Sequence, residues 1–209
     1  MLAKDRLITA NASSSSIIGE GGATTITFRI NTSTLDKLRQ ESEAKEISLN
    51  SLVNQLLKHY AEWDVFEPQI GMIPFPKNVV SAIFAEMTEE QITRLATSIG
   101  KNTAIDMAIF MLGRINVLKF ISWIEIRMKN SGSEVVHRLT EKDEVTVTHT
   151  LIIKHDMGKK WSLYLKMLLE SIISDVFKAR TFDFIITDAM ISFRFEAKKN
   201  YQEIEEGSF

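Results

Sequence analysis

Thr25, Thr27 and Arg29 stand at alternate positions between Ile26, Phe28 and Ile30. In an extended chain successive side chains point to opposite faces, so two hydroxyls and a guanidinium share one face and three large apolar groups the other. The chemistry open to such a polar row is hydrogen bonding to base edges. Arg can bond guanine twice, and Thr can bond a base edge or touch a thymine methyl. A second set, His137, His149, His155 and Asp156, carries the imidazole and carboxylate groups of metal ligands. Its placement argues for structural roles instead. His149 shares the face of Val145, Val147 and Leu151 as a half-buried strand residue, and Asp156 reads as the N-cap of a following helix. No metal is expected. Ser, His and Asp all occur, yet there is no Gly-x-Ser-x-Gly elbow, Gly-rich phosphate loop or His-Glu-x-x-His pair. The expectation is no catalytic residue, no enzyme and no cofactor.

The 209 residues include 25 Lys and Arg against 27 Asp and Glu, for a formal net charge of -2 and a sequence pI near 6.1. That balance excludes indiscriminate coating of nucleic acid but leaves room for a local basic face. The lack of Cys excludes a disulfide framework, a thiolate metal site and a Cys nucleophile. With 44% hydrophobic residues, a mean hydropathy of -0.02 and 3 Pro, the chain has the composition of a folded protein. Residues 1–23, charged and then Ser-rich, read as a flexible arm rather than a secretory leader, with Lys4 and Arg6 available to supplement a contact. The most apolar stretch, 104–126, is interrupted by Asp106, Arg114, Asn116, Lys119 and Glu125, so no membrane partner and a cytoplasmic location are expected.

The elements that must position these groups follow from periodicity. Residues 24–30 alternate as a short half-buried strand. Asn31, Thr32 and Ser33 offer N-caps for a first helix through Leu35 and Leu38. Ser48 offers a cap for a second helix, in which Leu49, Leu52, Val53, Leu56, Leu57 and Tyr60 keep helical spacing to about Trp63. Pro68, Gly71, Pro74 and Pro76 punctuate a linker over 67–76. Beyond it the chain reads helical, with a capping-box spelling at Thr88-Glu89-Glu90-Gln91 and a helix end at Gly100, and from Glu134 the period turns toward two. Lys154, Lys159, Lys160 and Lys166, near Trp161 and Tyr164, read as a solvated helix start. Phe75, Phe84, Met87, Phe110, Met111, Phe120, Trp123 and Trp161 read mostly as core, and as the residues from which an effector pocket would be built. The class is α+β. A DNA-binding unit over 24–66 precedes an α+β effector-binding or dimerisation domain over 77–200, with an acidic tail over 201–209.

A lone strand cannot satisfy its own peptide groups and needs a second copy. Two chains pairing this segment antiparallel would build a core from Ile26, Phe28, Ile30, Leu38, Leu52, Val53 and Leu56, and would leave Thr25, Thr27 and Arg29 as the outer row of a ribbon that fits the major groove. On these residues, and on the Ile47-Ser48-Leu49-Asn50-Ser51-Leu52-Val53 turn into the second helix, residues 24–62 resemble a ribbon-helix-helix DNA-binding module of the Arc and MetJ repressor type. The resemblance implies a homodimer on double-stranded DNA, with base contacts from Thr25, Thr27 and Arg29. It also implies phosphate contacts from Ser48, Leu49, Asn50 and Ser51, where free amides and the positive helix end favour an anion. The module departs from a strongly basic one. Residues 24–60 hold five cations (Arg29, Lys37, Arg39, Lys45, Lys58) against four acids (Asp36, Glu41, Glu43, Glu46), a net of +1.

The expected function is a homodimeric transcription regulator, able to form higher oligomers, whose larger domain senses a small-molecule or protein effector. Two competitors stand beside it. One is an antitoxin-like regulator whose C-terminal part binds a protein; the other is a ligand-binding protein that uses the first module only to dimerise.

Overall fold

The computed structural model describes residues 24–199, with the side chains of residues 181 and 182 excepted. The arm expected over 1–23, including Lys4 and Arg6, and the tail over 201–209 lie outside the described residues. The chain divides into two compact units, 1–53 and 54–209. Among the described residues the class is α+β: a helical first part and a four-stranded antiparallel sheet with helices before and within it.

In the first unit residues 24–30 form no strand in the single chain, and all seven are exposed. A strand is defined by its hydrogen-bonded neighbour, and residues 24–30 have none among the described residues. Helix α1 spans Thr32–Ala44, and of the three N-cap candidates Asn31 takes the role, its Oδ1 accepting from the Ser33 amide at 3.0 Å. The helix ends in a Schellman arrangement: the Ile47 amide donates to the Ser42 carbonyl and the Glu46 amide to the Glu43 carbonyl, both at 3.0 Å. Glu46 therefore sits at φ 54, a left-handed position that usually falls to Gly. Helix α2, Leu49–His59, starts on the Ser48 cap and runs into a π-helical turn, Tyr60–Asp64.

The second unit holds the contiguous core. Helix α3 (Lys77–Glu86) is followed by α4 (Glu89–Leu95), whose capping box forms as its spelling predicts: Gln91 donates its amide to Thr88 Oγ1 at 3.2 Å, and Thr88 donates to Gln91 Oε1 at 2.8 Å. Gly100 does not end this helix. A π-helical turn, Ala96–Gly100, joins α4 to α5 (Lys101–Leu112), and Gly100 keeps helical φ of -61. Its missing side chain serves packing instead, since a Cβ there would lie 2.7 Å from the Tyr164 hydroxyl. Helix α6 (Val117–Asn130) is capped by Asn116, and α7 (Lys159–Ser171) by the backbone at Gly158.

Strands β1 (Glu134–Glu141), β2 (Thr146–Lys154), β3 (Arg180–Ile186) and β4 (Met190–Lys198) form a sheet in the order β1-β2-β4-β3. The alternation seen in the sequence fixes which face is buried. Leu151 lies opposite Phe193, Ile153 opposite Ile191 and His149 opposite Phe195, all of them in the core. Helix α6 packs on β1, and α7 on β3 and β4. No helix among the described residues is long and apolar enough to cross a membrane.

Candidate functional site

Thr25, Thr27 and Arg29 are all exposed, and so is the opposite row, with Ile26 at 66%, Phe28 at 55% and Ile30 at 42% exposure. Of the other residues assigned to a dimer core, Leu52 is buried in the single chain, Leu38 and Val53 are half-buried and Leu56 is exposed. At the start of α2, Ser48, Asn50 and Ser51 are exposed and Leu49 is half-buried. Ser48 Oγ accepts from the Ser51 amide at 3.0 Å and lies 2.8 Å from Ser51 Oγ, so the cap uses one amide. Among the described residues the amides of Leu49 and Asn50 have no acceptor, and they point out of the positive helix end. Arg39 pairs with Asp36 at 3.8 Å and Lys45 with Glu41 at 2.8 Å. Arg29 and Lys37 have no acidic partner among the described residues, so the cation in the polar row is available to a ligand.

The chain matches no protein-family model, and no curated protein or solved structure matches it.

In the second unit His137, His149 and His155 go to two structural places. His149 is 0% exposed, not half-buried as its strand position suggests, because β4 covers it: its ring stacks on Phe195 with centroids 4.7 Å apart. His137 Nε2 lies 2.9 Å from His149 Nδ1, and the two rings are parallel at 5.2 Å. Burial pushes His149 down to about 4, helped by the neighbouring His137, and burial also lowers His137. Among the described residues no group of three potential ligands gathers anywhere. His155 stands at the far end of β2, accepting from the Met157 amide at Nδ1 and facing Ser162 Oγ from Nε2 at 2.9 Å. Ser162 Oγ in turn donates to the Thr187 carbonyl at 2.5 Å, so its proton is directed away from the imidazole and the trio ties α7 to the β3–β4 turn. Asp156 does not cap α7. Its carboxylate pairs with Lys77 at 2.7 Å, a hydrogen bond that holds it below the usual carboxylate range.

Three of the four lysines near Trp161 have partners. Lys154 pairs with Glu134, Lys166 lies over the Phe184 ring, and Lys160 donates to the Ala85 and Met87 carbonyls at the end of α3. Of the large side chains singled out, Phe120, Trp123 and Trp161 line a cavity of about 200 Å³, whereas Phe75 and Phe110 are exposed and Phe84 packs edge-on against Trp161 and Tyr164. Sequence reasoning missed Arg127, which also lines that cavity. The signal was present. Positions 120, 124 and 127 fall on one stripe of α6, so a half-buried Arg127 continues the row of the buried Phe120 and Ile124, where an apolar residue is the rule.

Proposed function

We propose that the chain is a homodimeric, sequence-specific DNA-binding regulator. Two copies of the 24–30 segment pair as an antiparallel ribbon, and Thr25, Thr27 and Arg29 read base edges in the major groove. Ser48, Leu49, Asn50 and Ser51 hold phosphates on either side, and the larger unit senses an effector or strengthens the dimer. The observation that carries this reading is the combination in one short stretch of an alternating segment with its apolar row left in water, a capped α1, and an α2 whose first amides are unsatisfied. Each feature has an ordinary explanation alone. Together they leave apolar surface for a second copy and donors for an anion.

A net charge of +1 over residues 24–60 makes the electrostatic share of affinity small. Log K should therefore fall with log salt by roughly 0.9 per phosphate neutralised, with few phosphates counted. Discrimination then rests on the Arg29 and Thr contacts, each good bidentate pair contributing about 1–3 kcal/mol. The test is selection of bound genomic fragments by the full chain, beside a Thr25→Ala, Thr27→Ala, Arg29→Ala variant, at moderate salt and with both shown to be dimers. A two-fold symmetric motif recovered by the first and lost by the second is the expected result. No enrichment by an intact dimer overturns the proposal and leaves the module as a dimerisation device.

A further inference from the structure

The cavity of the second unit lies between the Ala96–Gly100 turn, α5, α6 and α7 and is walled mainly by apolar side chains. Two polar groups interrupt that wall. Arg127 extends from α6 with its guanidinium carbon 5.7 Å from the centre of the Trp123 ring, and its one hydrogen-bond contact is a long one, 3.7 Å, from Nη1 to the Met72 sulfur. Among the described residues no carboxylate pairs with it. Tyr164 extends from α7, wedged between Phe84 and Trp161 at 5.3 and 5.1 Å, and its hydroxyl enters the space vacated by the missing Cβ of Gly100. That hydroxyl has no hydrogen-bond partner among the described residues. Ile99 at the rim is 64% exposed, and Thr103 is exposed too, so the cavity has a mouth.

A half-buried guanidinium without a counter-charge is costly, and thioether sulfur is a weak acceptor that does little to offset it. Both side chains line the same cavity, and its environment bears on both: burial lowers Arg127 and raises Tyr164. Both are donors at neutral pH, and among the described residues neither has an acceptor of ordinary strength.

We infer that this cavity is a binding site for a small organic carboxylate with an apolar body, its carboxylate bonded by Arg127 and Tyr164 and its body held among Phe120, Trp123, Leu165 and Leu168. The size sets the body. At about 200 Å³ the cavity is slightly larger than the about 150 Å³ void that accepts benzene, so it takes one ring or a short acyl chain. The donors set the charge. One planar guanidinium and one hydroxyl match the two oxygens of a monoanion, whereas a phosphate dianion calls for more donors than are present.

The site stands or falls without DNA, so its test is a binding measurement on the full chain alone, independent of the ribbon proposal. Trp123 and Trp161 line the cavity and Trp63 does not, so tryptophan fluorescence, checked by calorimetry, reports occupancy. The probes are phenylacetate, octanoate, neutral phenylacetamide and phenyl phosphate. The expected result is saturable binding of the two carboxylates, with the amide and the phosphate weaker by roughly tenfold or more. Arg127→Met, which keeps the packing volume, should abolish the preference for phenylacetate over phenylacetamide, and Tyr164→Phe should weaken phenylacetate a few-fold, both with an unchanged circular dichroism spectrum. If Arg127→Met does not fold, Tyr164→Phe and the amide comparison on the unaltered chain carry the test. Equal affinity for the carboxylate and its amide, tighter binding of phenyl phosphate, or no saturable response to either carboxylate up to about 10 mM overturns the inference.

Discussion

The two units use apolar residues in opposite ways. Residues 54–209 bury them: Leu151, Ile153, Ile191, Phe193 and Phe195 from neighbouring strands, and Phe120, Ile121, Ile124, Leu165 and Leu169 from the helices, form one continuous core. Residues 24–53 expose them. There Ile26, Phe28 and Ile30 stay in water, while Leu52 and Ser42 are buried. The proposed ribbon would use these exposed Ile and Phe side chains as half of an interface. The larger unit is where a self-sufficient fold is found.

The largest expected effect breaks that contrast from the side of the core. Phe193 is 1% exposed and stacks on Phe184 at 5.2 Å, so Phe193→Ala should cost about 3–5 kcal/mol in urea unfolding of the second unit. Phe28→Ala, at a side chain 55% exposed in the single chain, should change that unfolding by less than about 0.5 kcal/mol. Its effect should appear instead in the dimer dissociation constant, measured by sedimentation. A Phe28→Ala chain that dimerises as tightly as the original would remove Phe28 from the proposed ribbon core.

A smaller effect separates the units by pH. His149 is wholly buried and holds its pKa at about 4, against about 6.5 in an unfolded chain. Between these values the unfolded chain binds a proton that the folded unit refuses, so stability is full above about pH 6.5 and is lost as pH falls toward 4, by roughly 3 kcal/mol in all. His137 and His155, both lowered chiefly by burial, act in the same direction. His149→Phe, which can keep the stack on Phe195, should flatten most of this slope in urea midpoints taken at neutral and acid pH. A slope as steep in the variant as in the original would assign the loss to other groups.

Much of this architecture was legible because it depends on local periodicity. The alternation of Val147, His149, Leu151 and Ile153 placed β2, and Thr88 with Gln91 placed the start of α4, since cap and strand face are decided within a few residues. What was not legible depends on neighbours far along the chain. His149 was expected half-buried because nothing local states that β4 lies over it. Gly100 was expected to end a helix because its reason for being Gly is the Tyr164 hydroxyl, 64 positions later. Asp156 was expected to cap α7, but Lys77 claims its carboxylate. At the proposed interface, the polar row and the Ser48 cap were identified from spacing, and the single chain shows them exposed; the proposed pairing of that row would need a second copy.

The smallest effect sharpens the division of labour at Ser48. Its hydroxyl oxygen accepts from the Ser51 amide, so Ser48→Ala should cost the first unit about 1 kcal/mol of helix stability. Gly is nearly as good an N-cap as Ser, so Ser48→Gly should cost only a few tenths of a kcal/mol. The proposed phosphate contact makes the opposite demand, because Gly has no hydroxyl to offer DNA but leaves the Leu49 and Asn50 amides in place. If Ser48 serves the helix alone, the Gly variant should bind DNA like the original. If the hydroxyl also meets a phosphate, the Gly variant should bind more weakly by a similar factor on every sequence while its thermal unfolding barely moves, since a phosphate contact positions the protein and carries no base preference.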